Sequence, residues 1–386
     1  MTFLRVWFWV TLALTFGTYL RGENISLETV ARLSHGPGGM AVLPDNSLVV
    51  GIHPSFRSRE RVVLLDRNGN TAAFPNVEMS RGEADQPGSF DSIMGVRKDS
   101  NGVVWFLDNG RRAEKIPKLV GWDLSERQIH QVIFLPAPVT TETSFLVDFA
   151  VHPDGSRVFI ADPAAGLDAA LIVVDLASGL GRRVLQGHPS VLAENIPFTV
   201  NGRKLRTKLP DGRVAEPLSA VNPITMDRKG RFLYFGAMKG RSLYRIPASL
   251  LRVRGVEEEE IIASLERYSD KPISDSITID AKDNIYAGDL AKNAIAVIPP
   301  RSKRVETYLS DSKLSWPDGL TFGGDGKLYF FCSQVNRTDW YGGKNDIQPP
   351  FSVYRIKPLF QPLIPNAMER NPLEGIRERI NPFHRD

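Results

Sequence analysis

Six times along the chain the same alternation returns. A polar loop leads into four or five mostly apolar residues, then a turn of Asp, Gly, Asn or Lys, then a second apolar run. The copies span residues 38–53, 92–108, 147–162, 222–237, 274–289 and 317–333. Short apolar runs joined by such turns predict β-hairpins rather than helices. A return at roughly 45–55 residues is the spacing of β-propeller blades. The pattern therefore predicts an all-β chain folded as a six-bladed β-propeller, each repeat supplying the two inner strands of a blade.

The sequence between repeats supplies the outer strands. Candidates are 61–66 and 71–74 for blade one, 116–124 and 128–135 for blade two, and 170–176 and 182–185 for blade three. Blade four has 242–247 and 260–265, and blade five has 294–299 and 304–309. Blade six offers only 351–357. Its missing strand is expected from the other end of the chain, at 27–33. Such closure removes the free sheet edges that invite aggregation, so deleting residues 24–34 should unfold the protein. Val151 and Met226 occupy matching positions 75 residues apart, where neighbouring steps take 53–55. The excess, 186–217, is polar, basic and rich in Gly and Pro, and is expected to lie across one face of the disc as a lid. Within it, FTVNGRKL is a candidate hairpin.

Composition adds little to this picture: 42% hydrophobic, 24% charged, 32 Gly and 27 Pro over 386 residues suit a turn-rich globular chain. The net charge of +4 comes without the aromatic–basic interleaving of a nucleic-acid surface, so no nucleic-acid partner is expected. The single cysteine, Cys332, lies in the apolar run LYFFC and excludes an intramolecular disulfide. The apolar run at 6–20 has the length of a signal-peptide core. Residues 1–22 are thus expected to be a signal peptide or an uncleaved anchor, with 24–360 the propeller and 361–386 a tail. The protein should be secreted or periplasmic, with no membrane contact beyond that anchor.

The repeat also predicts where a ligand sits. Two antiparallel strands begin and end on one side, so the loop entering the innermost strand and the loop leaving the second share a face of the disc. The entering loops carry Asp91, Asp148, Asn222, Asp275 and Asp318, and the leaving loops Asp108, Asn109, Asp162, Asp289 and Ser333. One channel mouth thus gathers seven carboxylates. Such a ring suits an amine or a hard cation, and a crowded carboxylate can serve as a general base. Asp148, Asp275 and Asp318 are candidate catalytic groups. Asp91, Asp108, Asp162, Asn222, Asp289 and Ser333 are candidate ligand contacts. The turns inside each repeat fall on the other face and read as structural. No histidine pair has metal-ligand spacing, and Ser190 lacks a nucleophile-elbow context.

The phrases VWFLDNG (104–110), VFIADPAAGLDAALIVVDL (158–176), GHPSV (187–191), FLYFGAMKGRSLYRIP (232–247), KPISDSITIDAKDNIYAGDL (271–290) and WPDGLTFGGDGKLYFFCSQ (316–334) give a further signal. In this order, closing with PPFSVYRI (349–356), they resemble the yellow / major royal jelly protein family. The resemblance implies a six-bladed, usually secreted propeller. Family members are linked to dopachrome tautomerisation or bind small aromatic amines in the channel. It carries over no catalytic motif residue by residue. The chain is also distantly similar to gluconolactonase-type propellers, which hold a divalent metal on the axis. That resemblance would make Asp148, Asn222 and Asp275 the metal ligands, but residues 35–37 read His-Gly-Pro where that family has Glu-Gly-Pro.

Three functions follow as expectations. The first is an exported small-molecule binder, acting on aromatic, phenolic or amine compounds as a tautomerase-like isomerase. The second is a metal-dependent lactonase or esterase. The third is a non-enzymatic extracellular interaction protein. No cofactor is expected under the first, and Ca²⁺ or another divalent cation under the second.

Overall fold

The computed structural model describes residues 25–83, 86–208, 212–341 and 345–360. The leader or anchor expected at 1–22 and the tail at 361–386 lie outside them. No helix of the described residues is long and apolar enough to cross a membrane.

The chain forms six four-stranded antiparallel sheets arranged as a six-bladed propeller, together with two small two-stranded sheets. Blade one runs Pro37–Val42, Leu48–Ile52, Val62–Leu65 and Thr71–Ala73, from axis to rim. Blade two runs Ile93–Lys98, Val103–Asp108, Lys118–Asp123 and Gln128–Phe134. Blade three runs Asp148–Val151, Arg157–Asp162, Ala170–Asp175 and Gly181–Val184. Blade four runs Val221–Met226, Phe232–Ala237, Ser242–Pro247 and Glu266–Asp270. Blade five runs Ile277–Ile279, Ile285–Asp289, Ala294–Ile298 and Glu306–Ser310.

Blade six takes Pro317–Phe322, Leu328–Cys332 and Phe351–Ile356 from the C-terminal side, and its outermost strand is Glu28–Leu33. The two ends pair antiparallel, Glu28 opposite Arg355 and Leu33 opposite Phe351. Glu28 accepts hydrogen bonds from Lys327 and Arg355, each at 2.8 Å.

The period-2 pattern has a direct use in this geometry. Alternate side chains of each second strand point to opposite neighbouring blades. One apolar cluster therefore fills each blade interface. Between blades two and three it holds Trp105, Leu107, Phe149 and Ile160; between six and one, Leu33, Met40, Val50, Phe331 and Phe351. An Asp at each inner turn accepts backbone N–H bonds and fixes the hairpin, as Asp99 does from Asn101 and Val103 at 2.9 Å. Trp105, Tyr286 and Tyr329 on the adjoining second strands donate to Asp99, Asp280 and Asp325.

One strand expectation is corrected. The apolar run at 260–265 does not form the outer strand of blade four. Glu258–Ala263 is a short helix with three glutamates in its first turn, where the helix dipole favours negative charge. The outer strand is the more polar Glu266–Asp270. A short, charged strand suits a sheet edge that faces solvent.

The 186–217 segment carries the two small hairpins, Thr199–Val200 with Arg203–Lys204 and Thr207–Lys208 with Val214–Ala215. Phe198, Val200 and Leu205 pack with Met238, Ile273, Trp316 and Val335. The segment also hydrogen-bonds the main chain of Trp340 and Tyr341, through Thr207 Oγ1 at 3.1 Å and the Arg206 N–H at 3.4 Å.

Candidate functional site

The innermost strands do not enter the channel as plain strands. Register shifts occur between Pro37 and Gly39, Ile93 and Gly95, Val221 and Ile224, and Asp318 and Thr321. A bulge bends its strand and re-aims side chains. Here two of the bulges lie at the mouth and carry Asn222 and Asp318. Gly319, beside Asp318, has φ of 61°, and a Cβ there would meet the Phe331 ring at 2.0 Å. Only glycine fits this bend.

Asp148, Asn222, Asp275 and Asp318 line one axial pocket of about 60 Å³. Arg97 crosses beneath them. Its guanidinium donates to Asp148 at 2.6 Å and to the Phe149 carbonyl at 3.3 Å. Arg97 also lines the cavity at the opposite mouth, so it stands as the partition of the channel. Asp275 accepts from the Trp316 indole at 2.6 Å and from the Asn222 amide. Asp318 accepts from the Gly319 N–H at 2.6 Å. Trp340 and Tyr341 roof the pocket from the short 3-10 turn Asp339–Tyr341, which follows a second such turn, Val335–Arg337. Tyr341 packs on Trp316 with ring centroids 5.2 Å apart, and Trp340 on Phe145 at 5.6 Å.

The electrostatics follow from this crowding. Asp275 and Asp318 are partly exposed to the pocket yet lie deep in the protein. Burial raises Asp275 to about 6, against the Trp316 hydrogen bond, and the charge of Asp148 adds to the rise. Burial and the neighbouring Asp275 charge push Asp318 well above the usual carboxylate range. Burial also raises Asp148, with the Arg97 guanidinium opposing. Charge on one carboxyl disfavours charge on its neighbour, so Asp275 and Asp318 titrate as a pair and not independently. Behind them Lys271 is fully buried, its ammonium donating to the Gly240 carbonyl at 2.9 Å and the Pro272 carbonyl at 3.1 Å. Burial lowers it to about 7, against the charges of Glu194 and Asp275.

The remaining predicted residues lie elsewhere. Asp108 is buried and accepts from the N–H groups of Asp91, Ser92 and Gly110. Asp162 is buried, accepts from Phe145 N–H and Ser144 Oγ, and pairs with Arg183 at 2.8 Å. Asp289 caps the N–H groups of Ala291 and Lys292. These three brace the mouth loops from within the blades instead of facing a ligand. A leaving loop needs an acceptor to hold its neighbour, and the same residue type meets that need. Ser333 is fully buried, with its N–H on the Trp316 carbonyl at 3.2 Å. Asp91 faces a separate side cavity, paired with Lys115 at 2.6 Å and Lys118 at 3.4 Å.

The set Asp148, Asn222 and Asp275 does not assemble as a divalent-cation cage. Asp148 already carries the Arg97 guanidinium, and the Asn222 amide donates to Asp275. Among the described residues no group of three or more His, Cys, Asp and Glu is placed to hold a metal ion.

Sequence reasoning missed Arg97, Trp316, Trp340, Tyr341 and Lys271. Arg97 had a visible signal, since it breaks an apolar inner strand with a charge. Trp340 and Tyr341 lie in the long connection 333–350, a second interruption of the blade pattern.

A family model described as Major royal jelly protein matches residues 91–343. No curated protein matches the chain. Among solved structures, a gluconolactonase from Xanthomonas campestris aligns over 86% of this chain and 89% of its own, at 10% identity and TM-score 0.53. A luciferin-regenerating enzyme aligns over 87% and 96%, at 12% identity and TM-score 0.53. The calcium-binding protein regucalcin from Agrobacterium tumefaciens aligns over 88% and 98%, at 14% identity and TM-score 0.52. Identities this low speak for the fold alone.

Proposed function

The chain belongs to the major royal jelly protein family, and from that premise we propose that it is an exported propeller that binds a small aromatic, phenolic or amine compound at its acidic channel mouth and isomerises it by proton transfer. The observation that carries this reading is the Asp275–Asp318 pair beside Asp148, under a roof of Trp316, Trp340 and Tyr341. A tautomerisation removes a proton from one ligand atom and returns one to another, with no net gain or loss. It therefore needs a base and an acid at one place. A carboxyl pair sharing one proton offers both. The ionised member takes the ligand proton, the protonated member gives its own, and exchange within the pair restores the starting state. The aromatic roof holds a planar ring and keeps bulk water away, which strengthens each electrostatic contact.

The axial pocket holds a few waters, whereas ligand sites usually span about 300–1,000 Å³. A ring therefore enters with displacement of Trp340 or through the side cavity of about 330 Å³, which shares His53, Met94, Phe145 and Trp340 with the axial pocket. The reading needs no resident metal.

Dopamine binding by calorimetry and dopachrome turnover by absorbance test it. Asp275→Asn and Asp318→Asn should each lower turnover by about 100-fold or more. Wild-type turnover in both variants would place the chemistry elsewhere, and absence of dopamine binding at millimolar ligand would sink the reading. EDTA should leave binding and melting temperature unchanged. A fall in either after EDTA would put the metal-dependent lactonase ahead of this reading.

A further inference from the structure

The side cavity beside the channel mouth has a charge of its own. Arg57, Arg61 and Arg111 all line it. Its two carboxylates are already matched, Asp91 by Lys115 and Lys118, and Glu60 by Arg81 at 2.8 Å. Arg61 donates to main-chain carbonyls, those of Asp91 at 2.8 Å, Arg59 at 3.3 Å and Arg81. Among the described residues no carboxylate forms an ion pair with Arg57 or Arg111. Burial disfavours the Arg61 charge first and the Arg111 charge adds to it, with Asp91, Asp108 and Glu83 opposing. Like charges gathered in a concavity are a cost unless an anion relieves it.

The backbone adds a second observation. Arg57 has φ of 49° and Arg111 φ of 55°, the left-handed region that a side chain with a Cβ seldom adopts. Asn or Gly would be cheaper at both positions. At Arg57 this conformation caps the turn Pro54–Phe56, its N–H on the Pro54 carbonyl at 3.1 Å, and so fixes the backbone at the cavity rim. The wall facing the arginines is aromatic, formed by Phe145 and Trp340.

We propose that this cavity is a carboxylate-recognition site that takes an aromatic acid, with Arg61 and Arg111 on the carboxylate, Arg57 at the rim, and the ring against Trp340 and Phe145. Guanidinium matches a carboxylate in a planar, two-pronged geometry that an ammonium cannot offer. Because Trp340 also roofs the axial pocket, a ligand held here presents its far end to Asp148, Asp275 and Asp318. This last step rests on the channel reading, whereas the recognition of the acid does not.

Calorimetry with benzoate, benzamide and inorganic phosphate tests the proposal. Benzoate should bind at least tenfold tighter than its neutral isostere benzamide, and tighter than phosphate. Arg111→Gln and Arg57→Gln should each weaken benzoate at least threefold, and the double variant at least tenfold. Both side chains are exposed, so an unchanged melting temperature would confirm that the variants fold. Equal binding of benzoate and benzamide, or no effect of the double variant, would overturn the charge recognition. Phosphate as tight as benzoate would overturn the role of the ring. Failure here is distinct from failure of the channel reading, which is read from dopamine and dopachrome in Asp275→Asn and Asp318→Asn.

Discussion

Asp275 and Asp318 show how convergence at the axis changes an ordinary strand-entry residue, because burial and neighbouring charge raise both carboxyls above the usual range. An Asp at a strand entry can cap a nearby N–H, as Asp318 does for Gly319 and Asp148 for Phe149. Only convergence at the axis makes the carboxyl groups compete for ionisation. That competition has a stability consequence with a definite sign. A carboxyl whose folded-state value is raised favours folding fully below the ordinary value near ~4 and loses that contribution as pH rises through the raised value. Wild-type stability should therefore fall from about pH 4 up through pH 6 on account of this pair, since Asp275 is raised to about 6 and Asp318 is raised as well. Asp318→Asn keeps the acceptor for Gly319 and removes the titration. Thermal melts should place Asp318→Asn a few degrees above wild type near neutral pH, the gap closing toward pH ~4. A variant that melts lower at neutral pH would mean that the carboxylate is held by a partner cation. At this scale the residue types were legible from the chain and their neighbours were not. Asp148, Asp275 and Asp318 meet, whereas Asp108, Asp162 and Asp289 turn into their blades.

The elements were the most legible level, because a hairpin is a local object. Alternation, turn residues and spacing lie within a few residues of one another, and the strands formed where they pointed. The exception is instructive. The run at 260–265 has apolar residues but three glutamates before it, and a first helical turn welcomes them. Packing between elements is a different matter. Gly288 sits on the second strand of blade five where the main chain of blade six crosses closely, and a Cβ there would lie 2.1 Å from the Pro317 carbonyl oxygen. Gly288→Ala should cost about 1–3 kcal/mol in urea unfolding, through displacement of the strand that begins Pro317–Phe322. An unchanged midpoint would show that the blades have slack at that interface. The bulges beside Asn222 and Asp318 belong to this level too. No alternation pattern marks them, because a bulge is set by the bend that the channel mouth demands.

For the whole molecule, closure decides whether the ring exists. Ala31 and Leu33 of the first strand are buried in the cluster that joins blade six to blade one. Removal of residues 25–34 should leave two exposed apolar faces and abolish the cooperative melt seen by circular dichroism. A truncated protein that melts cooperatively at the wild-type temperature would mean that three strands suffice for the last blade. The mouth is likewise a property of the assembled disc. The 186–217 insertion packs beside Trp316 and ties down the main chain of Trp340 and Tyr341, which are the side chains over the axis. Sequence by itself determined the repeat, the blade count, the closing strand and the face on which Asp and Asn gather, because each depends on local periodicity or on the number of copies. Tertiary structure alone decided which carboxylates converge on the axis, that Arg97 partitions the channel, and that three arginines line a cavity with an aromatic wall beside it. Those facts depend on distances between residues some 40 or more positions apart, such as Arg97 to Asp148, and no pattern along the chain encodes a distance across it.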